Sequence, residues 1–224
     1  METPSFVEHS KIVNLGSALA MATAEWLAAK AQSGFTESLM SEALLIIPLV
    51  EYFTGHGKST GWNLTGESPE LGHGLAKPGD VNIDLVAERG EEKVLLEFKY
   101  LKKVGDQRLI KDMVKLAFPK GVNYARLLLV AHSASCQAHG QSKSPLVRAI
   151  TSADRPAAFQ LAKQDSLAKV RSDLDIGHSL TGDEEKHVSR IMSYDPSLAD
   201  FVVGTVGDCR NAGENVSVFS VSRL

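Results

Sequence analysis

Hydrophobic and polar positions predict a helical start to the chain, followed by a loop. Phe6–Gln32 is rich in alanine, and its apolar residues recur at intervals of three and four, which predicts a helix. A second helix is predicted over Ser38–Phe53, with a kink or a late start at Pro48. The glycine-rich segment Gly55–Gly79 predicts a long loop that contains a short strand at Trp62–Leu64.

The middle of the chain changes from a helical period to the period of two that strands show. Val81–Ala87 and Lys93–Tyr100 are predicted to pair as a β-hairpin around a turn at Glu88–Glu92. Apolar residues then return to helical spacing over Leu109–Ala117. The continuous apolar run Arg126–Ala131 is typical of a strand that is buried on both faces.

The last third of the chain is predicted to be helical, with two strands at its end. The helical segments are Pro145–Asp175, interrupted near Pro156, and Asp183–Tyr194. Phe201–Val206 and Asn215–Val221 are predicted strands. Together, these elements predict an α/β fold, a three-layer sandwich around a central mixed β-sheet. We expect a single domain over 1–224, with an N-terminal helical addition at 1–36, a core at 37–132, and C-terminal helices and final strands at 133–224.

Composition is that of an ordinary soluble globular protein. The chain has 224 residues, of which 43% are hydrophobic and 23% are charged, so it can bury a core without cross-links. Two cysteines and the lack of a signal-peptide pattern at the start favour a reducing, cytoplasmic location. The apolar stretch Val13–Ala31 is interrupted by Asn14, Glu25 and Lys30, so we expect no membrane span.

Charge is distributed unevenly along the chain. Residues 1–92 carry 5 basic and 13 acidic side chains, net −8, whereas residues 93–126 carry 9 basic and 3 acidic side chains, net +6. The overall net charge of −3 argues against a protein that binds any polyanion. The basic segment is either a local surface for an anionic partner or a solvated helix face.

The predicted hairpin places acidic side chains opposite each other. If its loop is Arg89–Glu92, then Asp84 lies opposite Glu97, Lys99 lies opposite Asn82, and all four side chains share one face. Two carboxylates at this separation, about 4.5–5.5 Å between Cβ atoms, repel each other. Either a divalent cation such as Mg²⁺ or Mn²⁺ or a shared proton would relieve that repulsion.

This arrangement resembles that of a known enzyme superfamily. Asp84, followed after twelve residues by Glu97-Phe98-Lys99, resembles the motif of the PD-(D/E)XK nucleases, which have the restriction-endonuclease-like fold. The flanks are also similar, with a Glu-bearing helix before the hairpin and a helix and an apolar strand after it. The resemblance covers about residues 38–132. One departure is that no proline precedes Asp84 directly, since Pro78-Gly79-Asp80 lies four residues upstream.

The resemblance implies a metal-dependent phosphodiesterase, and we expect a DNA endonuclease in which metal-bound water attacks the scissile phosphate. Asp84 and Glu97 would bind Mg²⁺ or Mn²⁺, and Lys99 would position the water and stabilise charge on the phosphate. The superfamily commonly adds a helix glutamate to the metal site; Glu42 is favoured over Glu51. Nucleases that cut two strands are often dimers, so a homodimer stays open.

The basic segment then acquires a candidate role beside the site. Cations that follow the hairpin or lie in the next helix would contact phosphates that flank the scissile bond. These residues are Lys102, Lys103, Arg108, Lys111 and Lys115. Two other functions remain open: a non-catalytic module that binds nucleic acid or protein through a degenerate nuclease fold, and an unrelated α/β domain whose hairpin carries only surface charge.

Overall fold

The fold is built on one mixed β-sheet with helices packed against it. The computed structural model describes residues 9–36, 39–55, 60–68, 82–101, 109–117, 119, 124–133, 158–164, 167–172, 178–179 and 200–223. The helices are α1 (His9–Gln32), a 3-10 helix (Glu42–Leu45), α2 (Ile46–Thr54) and α3 (Leu109–Ala117). The strands are β1 (Asn63–Ser68), β2 (Ile83–Arg89), β3 (Glu92–Leu101), β4 (Tyr124–Ser133), β5 (Ala158–Gln164), β6 (Leu167–Ser172), β7 (His178–Ser179), β8 (Asp200–Asn211) and β9 (Glu214–Arg223).

The strand order explains why the sheet is mixed. Across the described residues, nine strands lie in the order β1-β2-β3-β4-β9-β8-β5-β6-β7. β3 and β4 are parallel, with α3 between them in the sequence, as a crossover connection between parallel strands requires. The other neighbouring strands pair in the antiparallel sense. The structure therefore confirms the predicted α/β class and the mixed character of the sheet.

The two faces of β3 pack against different helices. Leu96 and Phe98 belong to a buried apolar cluster that includes Leu19 and Leu27 of α1. The side chains that alternate with them point to the other face, where Lys99 contacts α3. The sheet therefore separates an apolar core under α1 and α2 from a charged layer under α3.

The hairpin has the predicted register with a tighter turn. Leu85 pairs with Leu96 and Glu88 pairs with Lys93, as the predicted pairing requires. The strands extend to Arg89 and Glu92, so only Gly90 and Glu91 form the turn. Gly90 has a φ of 59°, and glycine with positive φ at the first turn position is typical of a type II′ hairpin turn.

The N-terminal elements agree with the pattern but differ at their ends. The length and apolar composition of α1 would allow it to cross a membrane, but core helices of soluble proteins have the same properties. Leu19 and Leu27 of α1 are buried within the protein. The second predicted helix is divided into the 3-10 helix and α2, and Pro48 lies in the first turn of α2, where its missing N–H costs little. The predicted short strand at Trp62–Leu64 overlaps β1, which begins at Asn63 and extends to Ser68.

The prediction that Pro145–Asp175 is mostly helical is wrong where the structure describes it. Ala158–Gln164 and Leu167–Ser172 form the antiparallel strands β5 and β6. Alanine, lysine, glutamine and leucine favour a helix locally, but β5 pairs with β8 through register positions such as Leu161 with Phe201. Long-range pairing thus overrides local propensity. The final two strands are confirmed as β8 and β9, and Asp183–Tyr194 lies outside the described residues.

A close approach of two backbones fixes α1 on the sheet and gives a test of the fold. A Cβ atom added at Gly207 would overlap the carbonyl of Gly16 and the amide nitrogen of Ser17. We expect Gly207→Ala to lower the free energy of unfolding by about 1–3 kcal/mol, because helix and strand would have to separate. Urea unfolding measures this change.

Gly66→Ala is the matched control for this prediction. Gly66 also lies in a strand, but a Cβ there would lie 3.9 Å from the Asp84 carbonyl oxygen, an ordinary van der Waals contact. The free energy of unfolding of the Gly66→Ala protein should stay within about 0.5 kcal/mol of that of the parent protein. Equal effects of the two substitutions would contradict the proposed helix–strand approach.

Candidate active site

Charged side chains from the hairpin and from two helices meet on the α3 face of the sheet. The hairpin supplies three of them, the 3-10 helix one, and α3 two. We call this group the carboxylate–lysine cluster. Its members are Glu42, Asp84, Glu97, Lys99, Asp112 and Lys115.

The hairpin brings together the two carboxylates that its register predicts. The Asp84 Oδ2 atom accepts a hydrogen bond of 3.2 Å from the Phe98 backbone N–H, which ties the start of β2 to β3. Glu97 is fully buried, and its Oε1 atom lies 2.6 Å from the Lys115 Nζ atom. The repulsion expected between Asp84 and Glu97 is therefore offset in this structure by a lysine.

Lys99 connects the hairpin to both helices. Its Nζ atom donates a hydrogen bond of 2.8 Å to the Glu42 Oε1 atom and lies 3.3 Å from the Asp112 Oδ2 atom. The Lys99 side chain is only 6% exposed, whereas that of Glu42 is 41% exposed. The cluster therefore reaches solvent on the Glu42 side.

Lys115 occupies a different position from the one expected for a phosphate-binding cation. Its side chain is 8% exposed and lies inside the cluster, where the Nζ atom donates a hydrogen bond of 3.0 Å to the Asn82 carbonyl. Burial of this kind removes it from an exposed phosphate-binding face. Lys111 belongs to α3, but its side chain lies outside the described part of the structure, as do the whole residues Lys102, Lys103 and Arg108.

The cluster carries more negative than positive charge. Four carboxylates face two ammonium groups, a formal charge of −2 when all are ionised. Burial raises the pKa of Glu97 well above its ordinary value, and the charge of Asp112 adds to this effect against the opposing charge of Lys115. Burial is also the main cause of the raised pKa values of Asp84 and Glu42.

The two lysines are held in their charged form. Burial alone would lower the pKa of Lys99, but the charge of Asp112 and the hydrogen bond to Glu42 outweigh it and raise the pKa. For Lys115, burial is likewise outweighed by the charges of Glu97 and Asp112, so its pKa is raised. Both side chains are therefore cations at neutral pH.

Several carboxylate oxygens in the cluster could bind a cation. Among the described residues, Glu97 Oε1 and Oε2 and Asp112 Oδ2 are buried and accept no hydrogen bond of normal geometry, although the lysines lie near two of them. Buried oxygens of this kind are the donors that Mg²⁺ and Mn²⁺ prefer. Across the same residues, no three acidic, histidine or cysteine side chains are already grouped around one point. The donor chemistry therefore fits a hard divalent cation, while the lysines occupy positions beside the donors.

The structure places Glu42 beside Lys99 and adds one residue to the site. Glu42 contacts Lys99, and Glu51 lies in α2, after the 3-10 helix that carries Glu42. Asp112 was absent from the predicted site. The sequence does contain a sign that Asp112 is buried. It lies three residues after Leu109, within the apolar stripe of α3, where an ionised side chain needs a partner.

A separate cleft of about 530 Å³ lies at the turn end of the hairpin, on the α1 face. Trp62 and Arg89 line it, with the Arg89 guanidinium 4.5 Å from the centre of the Trp62 ring. Val94 also lines it and belongs to the apolar cluster under α1, so the cleft and the carboxylate–lysine cluster are on opposite faces of the sheet. The cleft contains no member of the cluster.

The raised pKa of Glu97 predicts a pH-dependent stability difference between the protein and Glu97→Gln. A raised pKa means that folding takes up a proton, so the parent protein loses stability as the pH rises from about 4.5 through the folded-state pKa. Without metal, we expect the stability of Glu97→Gln relative to that of the parent protein to be greater at pH 8 than at pH 5, because only the parent loses a bound proton over this range.

Urea unfolding in EDTA at the two pH values tests this expectation. The control is Glu88→Gln, whose side chain is 45% exposed on the same hairpin and should show no comparable difference. A stability difference between Glu97→Gln and the parent protein that does not change between the two pH values would contradict the raised pKa of Glu97.

Comparison with known proteins does not identify a relative of this chain. No protein-family model matches it, and neither a curated protein nor a solved structure does. The cluster and the hairpin motif are therefore the features that bear on its function.

Proposed function

We propose that the protein is a metal-dependent phosphodiesterase of the PD-(D/E)XK type that cleaves DNA. The observation that carries this proposal is the convergence of Asp84, Glu97 and Lys99 with Glu42 on one face of the hairpin. Buried acids and a buried lysine are costly for stability even when paired, and groups with strongly shifted pKa values cluster at functional sites.

The surrounding elements support a restriction-endonuclease-like core. A helix that bears a glutamate precedes the hairpin, and a helix and a parallel strand follow it, which is the arrangement that the motif resembles. β4 is buried between the two helical layers, as its apolar sequence predicted. This agreement supports the fold of the proposed enzyme, and the charged cluster supports its chemistry.

Asp84 and Glu97 would hold the metal, with Glu42 at the solvent side. When bound, Mg²⁺ or Mn²⁺ would neutralise charge on the scissile phosphate and make hydroxide available near neutral pH. The hydrogen bond from the Phe98 N–H fixes one oxygen of Asp84 and leaves Oδ1 for a further contact. Glu97 is fixed by burial within β3, so both ligands are held in place before substrate binds.

Lys99 acts in this proposal as a fixed cation. Its raised pKa keeps the ammonium group protonated at neutral pH, so it donates hydrogen bonds and does not take up a proton. The bonds to Glu42 and Asp112 orient the Nζ atom within the cluster. From there it can orient the attacking water and stabilise negative charge that develops on the phosphate.

Cleavage of supercoiled plasmid DNA tests the proposed function. We expect the protein to nick or linearise the plasmid in Mg²⁺ or Mn²⁺ and to be inactive in EDTA. Lys99→Ala and Asp84→Asn should each lower the rate by at least about 100-fold, because Lys99 supplies positive charge to the phosphate and Asp84 would hold the metal.

Two controls make the plasmid experiment decisive. Lys93→Ala removes a lysine from the same strand at the far end of the hairpin, outside the cluster, and should leave cleavage unchanged. Cleavage that survives in Lys99→Ala would indicate a contaminant or a different site. Binding of DNA or RNA without cleavage, and with little effect of metal, would favour the non-catalytic binding module.

The choice between the two helix glutamates gives a second test. Glu42→Gln removes the charge that contacts Lys99 and should lower the cleavage rate by about tenfold or more. Glu51→Gln makes the same chemical change in the neighbouring helix and should leave the rate within about twofold. Comparison of kcat for the two variants with the same plasmid checks this; equal losses would contradict the assignment of Glu42.

A further inference from the structure

We propose that Lys115 is a built-in cation that occupies the oxygen site of the carboxylate–lysine cluster and competes with the divalent metal. This competition would set the metal affinity of the proposed active site, so its biological meaning rests on the proposed function. The physical claim concerns cation binding alone and can be tested without measuring cleavage.

Within the described part of the chain, the Lys115 ammonium group lies close to three oxygen atoms. The Nζ atom lies 2.6 Å from Glu97 Oε1, 3.0 Å from the Asn82 carbonyl and 3.5 Å from Asp112 Oδ1. Two carboxylates and a backbone carbonyl are ligands that a hard divalent cation also accepts. The ammonium group is thus placed where negative charge from β2, β3 and α3 converges.

Because the contact between Lys115 and Glu97 is buried, the lysine ammonium group and a metal ion would play the same electrostatic role there. The Glu97 side chain is 1% exposed and that of Lys115 is 8% exposed, so little solvent screens their charges. Without the lysine, the formal charge of the cluster would fall from −2 to −3 in a buried region. A bound divalent cation would reverse that change, which gives metal and lysine overlapping electrostatic roles.

The position of Lys115 allows it to leave the site. It is in the last turn of α3, and its four-carbon stem can move the ammonium group by side-chain rotation while the helix stays in place. Lys99 differs because it is in a central strand and is bound at its tip by Glu42 and Asp112. We therefore assign the displaceable charge to Lys115 and the permanent charge to Lys99.

Competition of this kind lowers the apparent affinity for metal. The metal binds only the fraction of molecules in which Lys115 has withdrawn, so the apparent Kd is raised by the inverse of that fraction. Removal of the ammonium group should abolish this penalty. It should also destabilise the metal-free protein, because Glu97 and Asp112 lose their counter-ion.

Binding of Mn²⁺ to Lys115→Met tests the proposal. The parent protein, Lys115→Met and the control Lys93→Met are titrated with MnCl₂, with free Mn²⁺ followed by electron paramagnetic resonance and Tm measured in parallel. We expect Lys115→Met to have a lower Tm in EDTA, a larger rise of Tm with Mn²⁺, and a Kd about tenfold lower than the parent. Lys93→Met should match the parent in Kd, since Lys93 pairs with Glu88 away from the cluster.

Lys115→Gln keeps the test valid if Lys115→Met folds poorly. Glutamine retains polar atoms without the charge, and the proposal expects it also to bind Mn²⁺ more tightly than the parent. Folding of either variant only in the presence of Mn²⁺ would support the exchange. An unchanged or higher Kd in both variants, failure of both to fold even with Mn²⁺, or absence of Mn²⁺ binding in all proteins would overturn it.

The outcome is separable from that of the proposed function. If the parent protein cleaves plasmid in Mn²⁺ but the Lys115 variants bind Mn²⁺ no more tightly than the parent, the proposed nuclease activity is supported and the proposed competition by Lys115 is contradicted. Tighter Mn²⁺ binding by the variants, in a protein that cleaves no nucleic acid, would support the internal cation and contradict the nuclease.

Discussion

The burial of like charges between the hairpin and α3 is the constraint on which the rest of this structure depends. Glu97 and Asp112 are both nearly inaccessible to solvent, and either carboxylate alone would be costly in an apolar layer. Lys99 and Lys115 make their burial tolerable, but each lysine reaches carboxylates that belong to different elements. The positions of the hairpin, the 3-10 helix and α3 are therefore coupled through this one cluster, and a change in one element alters the electrostatic balance of the others.

Because side chains alternate between the two faces of a strand, the register of β3 sets both the apolar core and the carboxylate–lysine cluster. Along β3, Leu96 and Phe98 enter the apolar core, while Glu97 and Lys99 enter the charged layer. A slip of one residue would exchange the two sets and bury two charges against α1. The short turn at Gly90 prevents this by fixing the hairpin register. The register that stabilises the core is thus the same register that assembles the candidate active site.

The two lysines of the cluster have different environments, and this difference shapes the proposed chemistry. Lys99 is bound at its tip by carboxylates from two helices, an arrangement suited to holding a cation at one point. Lys115 is surrounded by oxygens that would also bind a metal. The first is suited to transition-state stabilisation and the second to control of metal occupancy. In the proposed enzyme, the carboxylate–lysine cluster would thus serve both catalysis and the control of metal binding.

What the sequence by itself determined was local: the period-two hairpin, its register, α1, α3 and β4, together with the opposed pair Asp84 and Glu97. These follow from short-range side-chain alternation and turn chemistry, which need no distant partner. Tertiary structure alone decided that β5 would be a strand, because its pairing with β8 outweighs a helical composition. It also decided that Asp112 and Lys115 join the cluster and that Glu42 reaches Lys99, 57 positions away. Such contacts depend on how separate elements pack, and the electrostatic energy that selects them exists only after packing has excluded water.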